Sequence, residues 1–520
     1  MKKNRLIRIL RKFHKWPGII IAFLVILFAS SGIIMNHRSI LSSVDIPRSL
    51  LPSDYHYKNW NLAAVRGSAS LGNGTSLMYG NIGVWETTDD FHTFRDFNHG
   101  FPSGIDNRKI YSIVNFKDGD LVAGTHFGLY KRVRQNALWE KVKLPVGEER
   151  IADLTLKGDT LIVLTRHYLL KSTNLEHFEK TQLPPPVNYK RETGLFNTLW
   201  ELHSGELFGL AGKLFIDALG LVAILLSVTG LIHFFFPKII RRKKKRGKAV
   251  AALHSTKRKN LKWHNVVGYI FIFFLVIDIL AGMFLRPPLL IAIANSKVGI
   301  LPYTHLDSPN PWFDKLRRVA WDKYNKQYIF STSEGFYFTD ESLTNPLQPF
   351  KVQPPVSVMG CNVFKQVGDN VFLVGSFSGM FLWNTHHGLA VDYFSRQPYV
   401  TPEGVTRPIA QNMVAGMIVK NNGQIFWFDY NRGALSMAAH SGMPSAGFPV
   451  MPGNILKESP ISLWNTALEA HTGRIFEHLI GPFYILYVPI AGLCLITVLL
   501  SGFFLWYSGY KKKGKVTPPK

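Results

Sequence analysis

Two stretches of the sequence repeat one pattern: "LFNTLWELHSGELF" at Leu195–Phe208 and "LWNTALEAHTGRIF" at Leu463–Phe476. Aligned without gaps, they share seven of fourteen positions, including a His that is followed two residues later by a Gly. Each stretch lies just before a long apolar run. Internal repeats are common in membrane proteins, so the repeated motif predicts a membrane protein built from two similar halves.

Four apolar runs are long enough to cross a bilayer. They are Trp16–Asn36, Ala218–Phe236, Asn265–Leu285 and Leu479–Tyr510, and Asp278 is their only charged residue. About 20 apolar residues span the hydrocarbon core as a helix, so we expect four transmembrane helices. A cleaved signal peptide is the alternative for the first run, but that run is too long for one.

The net charge of +26 lies mainly in three segments that flank these runs. Residues 1–15, 237–264 and 508–520 hold 24 of the 60 Lys and Arg residues, and they contain no Asp or Glu. Basic segments stay on the cytoplasmic side of a membrane, which predicts cytoplasmic termini and two long periplasmic loops in a bacterial inner membrane. Contact with the lipid bilayer explains this charge, and no nucleic acid is expected as a partner.

The first and third helices also correspond, because "RKFHKWPG" from Arg11 resembles "LKWHNVVG" from Leu261. The predicted fold is therefore a four-helix transmembrane bundle of two parallel repeats, plus an exported all-β, propeller-like domain built from both long loops. The predicted segments are 1–37 (basic N-terminus and first helix), 38–205 (exported), 206–236 (second helix), 237–263 (basic loop), 264–286 (third helix), 287–475 (exported), 476–510 (fourth helix) and 511–520 (tail).

The two exported segments are predicted to be β structure. Alternating aromatic and β-branched residues follow turn signals such as Gly158-Asp159 and Asn422-Gly423, a pattern typical of hairpins. A unit of strand, Gly-containing turn and strand occurs three times in each segment. The units recur mostly 40–55 residues apart, which is typical of propeller blades. We expect one six-unit body made from both segments, with two separate β domains as the alternative.

Four histidines occupy matched positions in the two repeats. His14 and His264 are 250 residues apart at the inner start of helices one and three, and His203 and His471 are 268 apart at the outer start of helices two and four. Symmetric packing would bring each pair face to face, which is how a b-type haem is held in a helix bundle. The alternative is that these side chains only sit at the membrane interface.

Several other residues are weaker candidates. His233 is an alternative inner ligand, although the spacing of 268 residues gives Ser501 as its counterpart. Asp217 and Asp278 lie in or near the membrane, where a carboxylate has either a structural partner or a role in proton handling. Glu201 and Glu469 are expected either to accept hydrogen bonds from the histidines or to cap the helix starts. Gly18, Gly205, Gly268 and Gly473 either leave room for a flat macrocycle or serve helix–helix packing.

The four helices resemble the PepSY-associated transmembrane proteins. The resemblance lies in "HKWPGIIIAFLVILFASSGIIM" from His14, "HNVVGYIFIFFLVIDILAGMFL" from His264 and "LHSGELFGLAGKLFIDALGLVAILLSVTGLIHFF" from Leu202. Some members of that family are inner-membrane ferric-siderophore reductases that carry haem on transmembrane histidines. The resemblance implies that His14, His264, His203 and His471 ligate two haem b groups. The exported segments show no PepSY module, which leaves the substrate open.

Two functions from different classes follow. The first is a haem-binding electron carrier that reduces an extracytoplasmic acceptor such as a ferric chelate. Its electrons would come from a quinol or a membrane partner, because the basic loop is too short to bind a flavin or nicotinamide. The second is a cofactor-free, membrane-anchored β protein that binds or senses a partner in the cell envelope. We find no P-loop, dinucleotide-binding or hydrolase motif in the sequence.

Overall fold

The computed structural model describes residues 2–134, 136–147, 149–356, 358–400, 410–437 and 447–513. The chain divides into two compact units, a helix unit and a β unit. The helix unit comprises Met1–Leu41, Arg191–Asp307 and Trp464–Lys520, and the β unit comprises Ser42–Lys190 and Ser308–Leu463.

Nine α-helices occur among these described residues. They are α1 (Lys2–Asn36), α2 (Leu195–Ser204), α3 (Gly209–Lys245), α4 (Ala251–Phe284), α5 (Leu289–Ile293), α6 (Gly453–Lys457), α7 (Leu463–His471), α8 (Glu477–Ile480) and α9 (Tyr487–Lys513). Four segments that overlap α1, α3, α4 and α9 are long and apolar enough to cross a membrane: Arg5–Asn36, Glu206–Lys245, Ala251–Phe284 and Arg474–Ser508. The number and order of the predicted spans are therefore found in the structure.

The four long helices form a bundle in which α1 and α4 each pack against both α3 and α9. They extend beyond the apolar runs into the basic segments, because Lys and Arg are good helix formers. As a result α4 begins at Ala251, well before His264. His264 and His14 therefore lie within helices rather than at their starts.

The repeated His-x-Gly motif was expected at the start of the second and fourth transmembrane helices, and this prediction was wrong. His203 and His471 instead lie at the ends of the short helices α2 and α7. The glycines that follow, Gly205 and Gly473, have φ of 79° and 77°, a left-handed conformation that ends helices and favours Gly. The motif is thus a helix stop that turns the chain towards the next long helix.

After this turn the second repeat has four residues that the first repeat lacks. Gly209 and Gly481 have nearly the same backbone conformation, with φ of 60° and 56° and ψ of −145° in both, and α8 fills the extra length before Gly481. From this point the repeat spacing is 272 rather than 268 residues. The counterpart of His233 is consequently Leu505, and the pairing of His233 with Ser501 was wrong by one helical turn.

Among its described residues, the β unit contains six small antiparallel sheets, three from residues 42–190 and three from residues 308–463. The first three are β2–β5 (Gly67–Gly72, Thr75–Gly80, Gly83–Thr87, Arg95–Asp96), β6–β9 (Ile110–Asn115, Leu121–Thr125, Gly128–Arg132, Glu140–Val142) and β10–β13 (Ile151–Lys157, Thr160–Thr165, Leu169–Ser172, Glu179–Thr181). The others are β16–β19 (Leu316–Asp322, Gln327–Thr332, Gly335–Asp340, Gln348–Pro349), β20–β23 (Val363–Gly368, Val371–Ser376, Gly379–Asn384, Leu389–Asp392) and β24–β26 (Val414–Val419, Ile425–Asp429, Gly433–Ser436).

Two further strand pairs lie outside these sheets. In the β unit, β1 (Asp45–Ile46) pairs with β27 (Ile461–Ser462), close to the two ends of the unit. In the helix unit, β14 (Glu192–Gly194) pairs with β15 (Lys297–Gly299). Both pairs join residues that are far apart in the sequence.

Consecutive sheets of the β unit contact one another through their first strands. The contacts run from β2 to β6, β10, β16, β20 and β24, and β24 also contacts β2. Each sheet is a simple meander in chain order. Five sheets have four strands, not the two that the sequence pattern revealed, because the fourth strands are only two to four residues long. Among the described residues the sixth sheet has three.

The cores of the β unit combine residues from both exported segments. One core contains Trp60 and Trp85 from the first segment with Phe426 and Phe428 from the second. Another joins Leu164 to residues of the second segment such as Phe330. Large buried aromatic side chains contribute most to such cores. The two segments therefore form one compact unit and not two separate β domains.

Candidate functional site

The inner histidine pair lies in the bundle between α1 and α4. The ring centroids of His14 and His264 are 6.2 Å apart, with an angle of 72° between the ring planes. A metal–imidazole bond is about 2.0 Å long and the ring centre lies roughly 1.1 Å behind the nitrogen, so two rings on opposite sides of one metal ion have centroids about 6 Å apart. The observed spacing matches that distance.

The outer pair consists of His203 and His471, at the ends of α2 and α7. Their ring centroids are 6.0 Å apart, with an interplanar angle of 51°. The His471 ring lies beside Gly32, eighteen residues after His14 on α1. With a helical rise of 1.5 Å per residue, the two pairs are about 27 Å apart along α1, which is close to the thickness of the hydrocarbon core of a bilayer.

In the inner pair, the Nδ1 atom of each ring is held by a neighbouring helix. His14 Nδ1 lies 2.9 Å from the carbonyl oxygen of Val498. His264 Nδ1 lies 2.9 Å from Thr229 Oγ1. The Thr229 hydroxyl donates its own hydrogen to the carbonyl oxygen of Leu225 at 2.6 Å. It is therefore the acceptor in its contact with His264.

The outer pair is held in the same way. His471 Nδ1 lies 3.1 Å from the Phe28 carbonyl oxygen and 3.0 Å from Ser31 Oγ. His203 Nδ1 lies 2.8 Å from Asp278 Oδ1 and 3.1 Å from the Asp278 carbonyl oxygen. Phe28 and Asp278 are 250 residues apart, so the two repeats use equivalent carbonyl groups.

These contacts determine which ring nitrogen is available. Carbonyl and carboxylate oxygens can only accept hydrogen bonds, so Nδ1 carries the proton and Nε2 keeps its lone pair. Within the described part of the chain, none of the four Nε2 atoms has a hydrogen-bond partner. A neutral imidazole with a bonded Nδ1–H and a free Nε2 is the usual form of a metal-ligating His.

Four glycines pack against the four rings. A Cβ atom added to Gly282 would lie 2.7 Å from His203 Cε1, and one added to Gly502 would lie 2.8 Å from His14 Cε1. At Gly230 and Gly32 the nearest ring atoms, of His264 and His471, are both at 3.5 Å. Any larger residue at Gly282 or Gly502 would push the imidazole away.

The glycines named from the sequence divide into two groups. Gly18 and Gly268 line the same cavity as the four histidines, and a Cβ atom added to them would meet Val498 and Leu226 at 3.7 and 3.8 Å. Gly205 and Gly473 end short helices. The glycines that touch the rings could have been found only from the helix packing, because each lies on a different helix from its histidine.

A cavity of about 1220 Å³ runs through the bundle and is lined by all four histidines and their four glycines. This is larger than the roughly 300–1,000 Å³ typical of a pocket for one small ligand. Most of its lining is apolar, including Leu226, Leu275 and Leu495. Cationic side chains line it as well: Arg11 and Lys15 close to His14 in the chain, and Arg286 and Arg474 in the segments next to the outer pair.

The weaker candidates have different surroundings. His233 lines the same cavity, and its Nδ1 atom is buried without a hydrogen-bond partner. Asp217 is bound by His37 Nε2 at 2.8 Å and by Asn36 Nδ2 at 3.0 Å. Asp278 is bound by His203, as described above. Both carboxylates thus have structural partners, and a role in proton handling stays a prediction.

The expected hydrogen bonds from Glu201 and Glu469 to the histidines are absent from the described contacts, and this expectation was wrong. Glu201 Oε1 instead lies 3.2 Å from His305 Nδ1. That contact raises the pKa of His305, partly offset by burial of the ring. Glu469 forms an ion pair with Arg474. The carboxylate beside the outer pair belongs to Asp278, on the opposite helix.

No group of three or more His, Cys, Asp or Glu side chains in the described part of the chain could hold a bare metal ion. A porphyrin iron needs only two axial ligands from the protein. The paired, unpartnered Nε2 atoms and the glycine cradles therefore fit haem better than an isolated metal ion.

A family comparison finds a match in the first part of the chain. Residues 1–236 match the model of the PepSY-associated TM region. This part of the chain, a little under half of its length, is a PepSY-associated TM region. The chain is a membrane protein, and the match includes α1, α2 and most of α3. Residues 237–520 lie beyond the match.

No curated protein matches the chain. Among solved structures, the extracellular domain of the one component system BT4673 from B. thetaiotaomicron is 11% identical with a TM-score of 0.32, covering 73% of this chain and 39% of that chain. YCF48 from Cyanidioschyzon merolae is 9% identical with a TM-score of 0.30, covering 73% and 85%. The N-terminal domain of Nup159 is 11% identical with a TM-score of 0.28, covering 71% and 74%. At these scores the similarities carry no argument about function.

Proposed function

We propose that this protein binds two haem b groups in a bacterial inner membrane and carries electrons across it. His14 and His264 hold the inner haem, and His203 and His471 hold the outer one. The electrons come from a quinol or a membrane partner and reduce an extracytoplasmic acceptor such as a ferric chelate. The observation that carries this proposal is the pairing of four unpartnered Nε2 atoms on rings about 6 Å apart.

The protein's own residues prepare both sites. Bound haem supplies reversible one-electron chemistry. The Nδ1–H bonds fix the orientation of each ring and raise the basicity of Nε2. His203 differs from the other three because its acceptor is the carboxylate of Asp278, which increases basicity more than a neutral oxygen does. Arg286 and Arg474 line the cavity in the segments next to the outer pair and would supply positive charge to a carboxylate-bearing group held there.

We further propose that the six sheets form a closed, periplasmic six-bladed propeller that binds the electron acceptor. The cyclic order of contacts between first strands, ending with β24 against β2, supports closure. A closed ring leaves only short strand edges exposed, which protects a β protein from edge-to-edge association.

The first test is the absorption spectrum of the purified full-length protein. We expect a red protein with the spectrum of low-spin, bis-histidine haem after reduction with dithionite, and about two haems per chain by the pyridine haemochrome method. A colourless protein from haem-replete cells would contradict the proposal. It would favour the alternative, a cofactor-free, membrane-anchored β protein of the cell envelope.

Replacing Gly282 by alanine is expected to remove most of the outer haem, because the new methyl group would lie 2.7 Å from His203 Cε1 and would displace the ring. Gly268→Ala is the matched control on the same helix, where the methyl group would meet Leu226 at an ordinary 3.8 Å. Haem per chain should fall towards one in the first variant and stay near two in the second. Equal haem content in both would show that the ring does not need this space.

Topology provides an independent prediction. A reporter that works only in the cytoplasm should be active when fused after Lys520, because basic segments remain inside. The same reporter inserted at Gly74, an exposed hairpin glycine with open space around it, should be inactive. Activity at Gly74 and not at Lys520 would reverse the proposed orientation.

A further inference from the structure

A separate cluster of arginines lies in the β unit, where the first strands of several sheets begin. Arg66 directly precedes β2, Arg150 directly precedes β10, and Arg318 lies near the start of β16. Tyr111 lies near the start of β6. The inner strands of the sheets thus bring residues that are far apart in the sequence to one end of the unit. The haem proposal uses none of them.

Contacts across several sheets hold the cluster together. Arg318 Nε donates to Asp153 Oδ2 at 2.7 Å, and Arg318 Nη1 donates to the Asn362 carbonyl oxygen at 2.8 Å. Arg66 Nη1 donates to Asn362 Oδ1 at 3.2 Å. The Asn362 contacts therefore join the first, fourth and fifth sheets. The Asp153 side chain is only 3% exposed and Arg318 is 19% exposed, so this ion pair is buried.

Arg66 and Arg150 share one aromatic ring. The guanidinium carbon of Arg66 lies 4.9 Å from the centroid of Tyr111, and that of Arg150 lies 5.8 Å from it. Both distances are within the range of cation–π contacts. Two positive charges are consequently held close to each other by a neutral group.

Neither of these two arginines has a carboxylate partner among the described residues. Arg318 already neutralises Asp153. The Nε atom of Arg66 is buried and has no hydrogen-bond partner. Burial is the main cause that lowers the pKa of Arg66. Tyr111 acts in the opposite direction, and the positive charges of Arg318 and Arg150 lower the pKa further. A guanidinium that is desolvated without a counter-charge destabilises a fold, which makes an external anion favourable here.

A second group of charges extends the positive region. Arg166 lies 2.8 Å from Asp314 Oδ2, and Arg317 lies 3.9 Å from the same oxygen. Burial and the nearby charge of Arg166 lower the pKa of Arg317 to about 9, although Asp314 acts in the opposite direction. The cluster as a whole has five guanidinium groups and two carboxylates.

This excess of positive charge is local. Residues 42–190 and 308–463 contain 30 Lys and Arg and 26 Asp and Glu, so the β unit as a whole is nearly neutral. The net positive charge of the chain is concentrated in the three segments around the membrane spans. It therefore does not explain the arginine cluster.

We propose that the arginine cluster binds a small oxyanion, a ligand with carboxylate or phosphate groups, beside Arg66 and Arg150. Guanidinium groups present a planar set of donors that matches the oxygen atoms of carboxylate and phosphate. The bound anion supplies the hydrogen-bond acceptor that Arg66 Nε lacks. This proposal is independent of haem binding.

The test uses full-length protein in detergent and two probes, citrate and inorganic phosphate. Binding is measured by isothermal titration calorimetry. Because salt screens charge–charge interactions, the ionic strength is held constant, and chloride replaces the probe anion where less probe is present. We expect saturable binding of one probe per chain. Binding of citrate alone indicates a carboxylate ligand and binding of phosphate alone indicates a phosphate ligand, and either result supports the site.

Arg66→Gln and Arg150→Gln should each weaken this binding about tenfold or more, as expected for the loss of a charge-assisted hydrogen bond. Lys58→Gln is the matched control, because it removes one exposed positive charge from the same unit. Without the probe, Arg66→Gln should unfold at the same temperature as the parent or higher, since an uncompensated charge has been removed.

Three results would overturn the proposal. The first is the absence of binding of either probe at millimolar concentration. The second is binding that Arg66→Gln and Arg150→Gln leave unchanged, which would locate the anion elsewhere. The third is a combination of two results: Arg66→Gln unfolds at a much lower temperature than the parent, and Arg150→Gln binds the probe as tightly as the parent. Together they would mean that the arginine cluster only stabilises the fold.

Discussion

Replacing either His203 or His471 by alanine is expected to lower the haem content of the protein from about two to about one per chain. Their ring centroids are 6.0 Å apart, so losing one ring would leave the proposed outer haem with only one of its two histidines. The inner pair lies about 27 Å away along α1 and should keep its haem. Haem per chain, measured by the pyridine haemochrome method on purified protein, checks this result.

His478→Ala is the matched control for these variants. His478 lies on α8, is exposed, and its Nδ1 donates to the carbonyl oxygen of Ile475 at 2.8 Å, so its removal should leave both haems in place. Added imidazole should restore the outer haem in a His471→Gly variant, which a purely structural defect would not allow. Unchanged haem in both His203→Ala and His471→Ala would make the repeated motif a packing device.

Replacing Asp153 by alanine is expected to destabilise the β unit by about 3–5 kcal/mol, the usual effect of removing one partner of a buried ion pair. Asp153 accepts from Arg318 Nε at 2.7 Å and from the backbone nitrogen of Val319 at 3.1 Å. It thereby joins the third and fourth sheets, which come from different exported segments. The variant would also leave another positive charge unpaired within the arginine cluster.

Urea unfolding of the full-length protein, followed by tryptophan fluorescence, measures this effect. Six tryptophans of the β unit are almost completely buried: Trp60, Trp85, Trp139, Trp312, Trp383 and Trp427. Glu341→Ala is the control, because it removes an exposed pair with Lys157 in which Glu341 is 57% exposed, and such pairs contribute about 1 kcal/mol or less. Equal unfolding midpoints for the two variants would show that the Asp153–Arg318 pair does not hold the sheets together.

Some features of the candidate site could be predicted from the sequence because they depend on local composition and on the duplication. The pairing of His14 with His264 and of His203 with His471 follows from matched positions in two repeats that pack symmetrically. The hydrogen-bond partners of the rings could not be predicted in this way. Glu201 is two residues from His203, and residues two apart on a helix point in different directions, so the acceptor comes from Asp278 on another helix.

The insertion of α8 shows the limit of an ungapped repeat. Four residues are close to one helical turn, so hydrophobic periodicity continues across the insertion and hides it. The helix packing reveals it, because Thr229 contacts His264 in the same manner as Ser501 contacts His14, with Oγ to Nδ1 distances of 2.9 and 3.4 Å. Thr229 and Ser501 are 272 residues apart, and so are the glycines beside these rings, Gly230 and Gly502.

By itself, the sequence determined the four membrane spans, the β character of both long loops and the four histidines, since apolar length, alternation and internal repetition are local properties of a chain. Only the tertiary structure decided that the loops share their cores, that the Nε2 atoms are unpartnered and that Arg66, Arg150 and Arg318 meet. These features depend on how helices rotate against one another and on where the first strands of different sheets begin. Such long-range geometry is determined by the packing of the whole unit, and no short stretch of sequence records it.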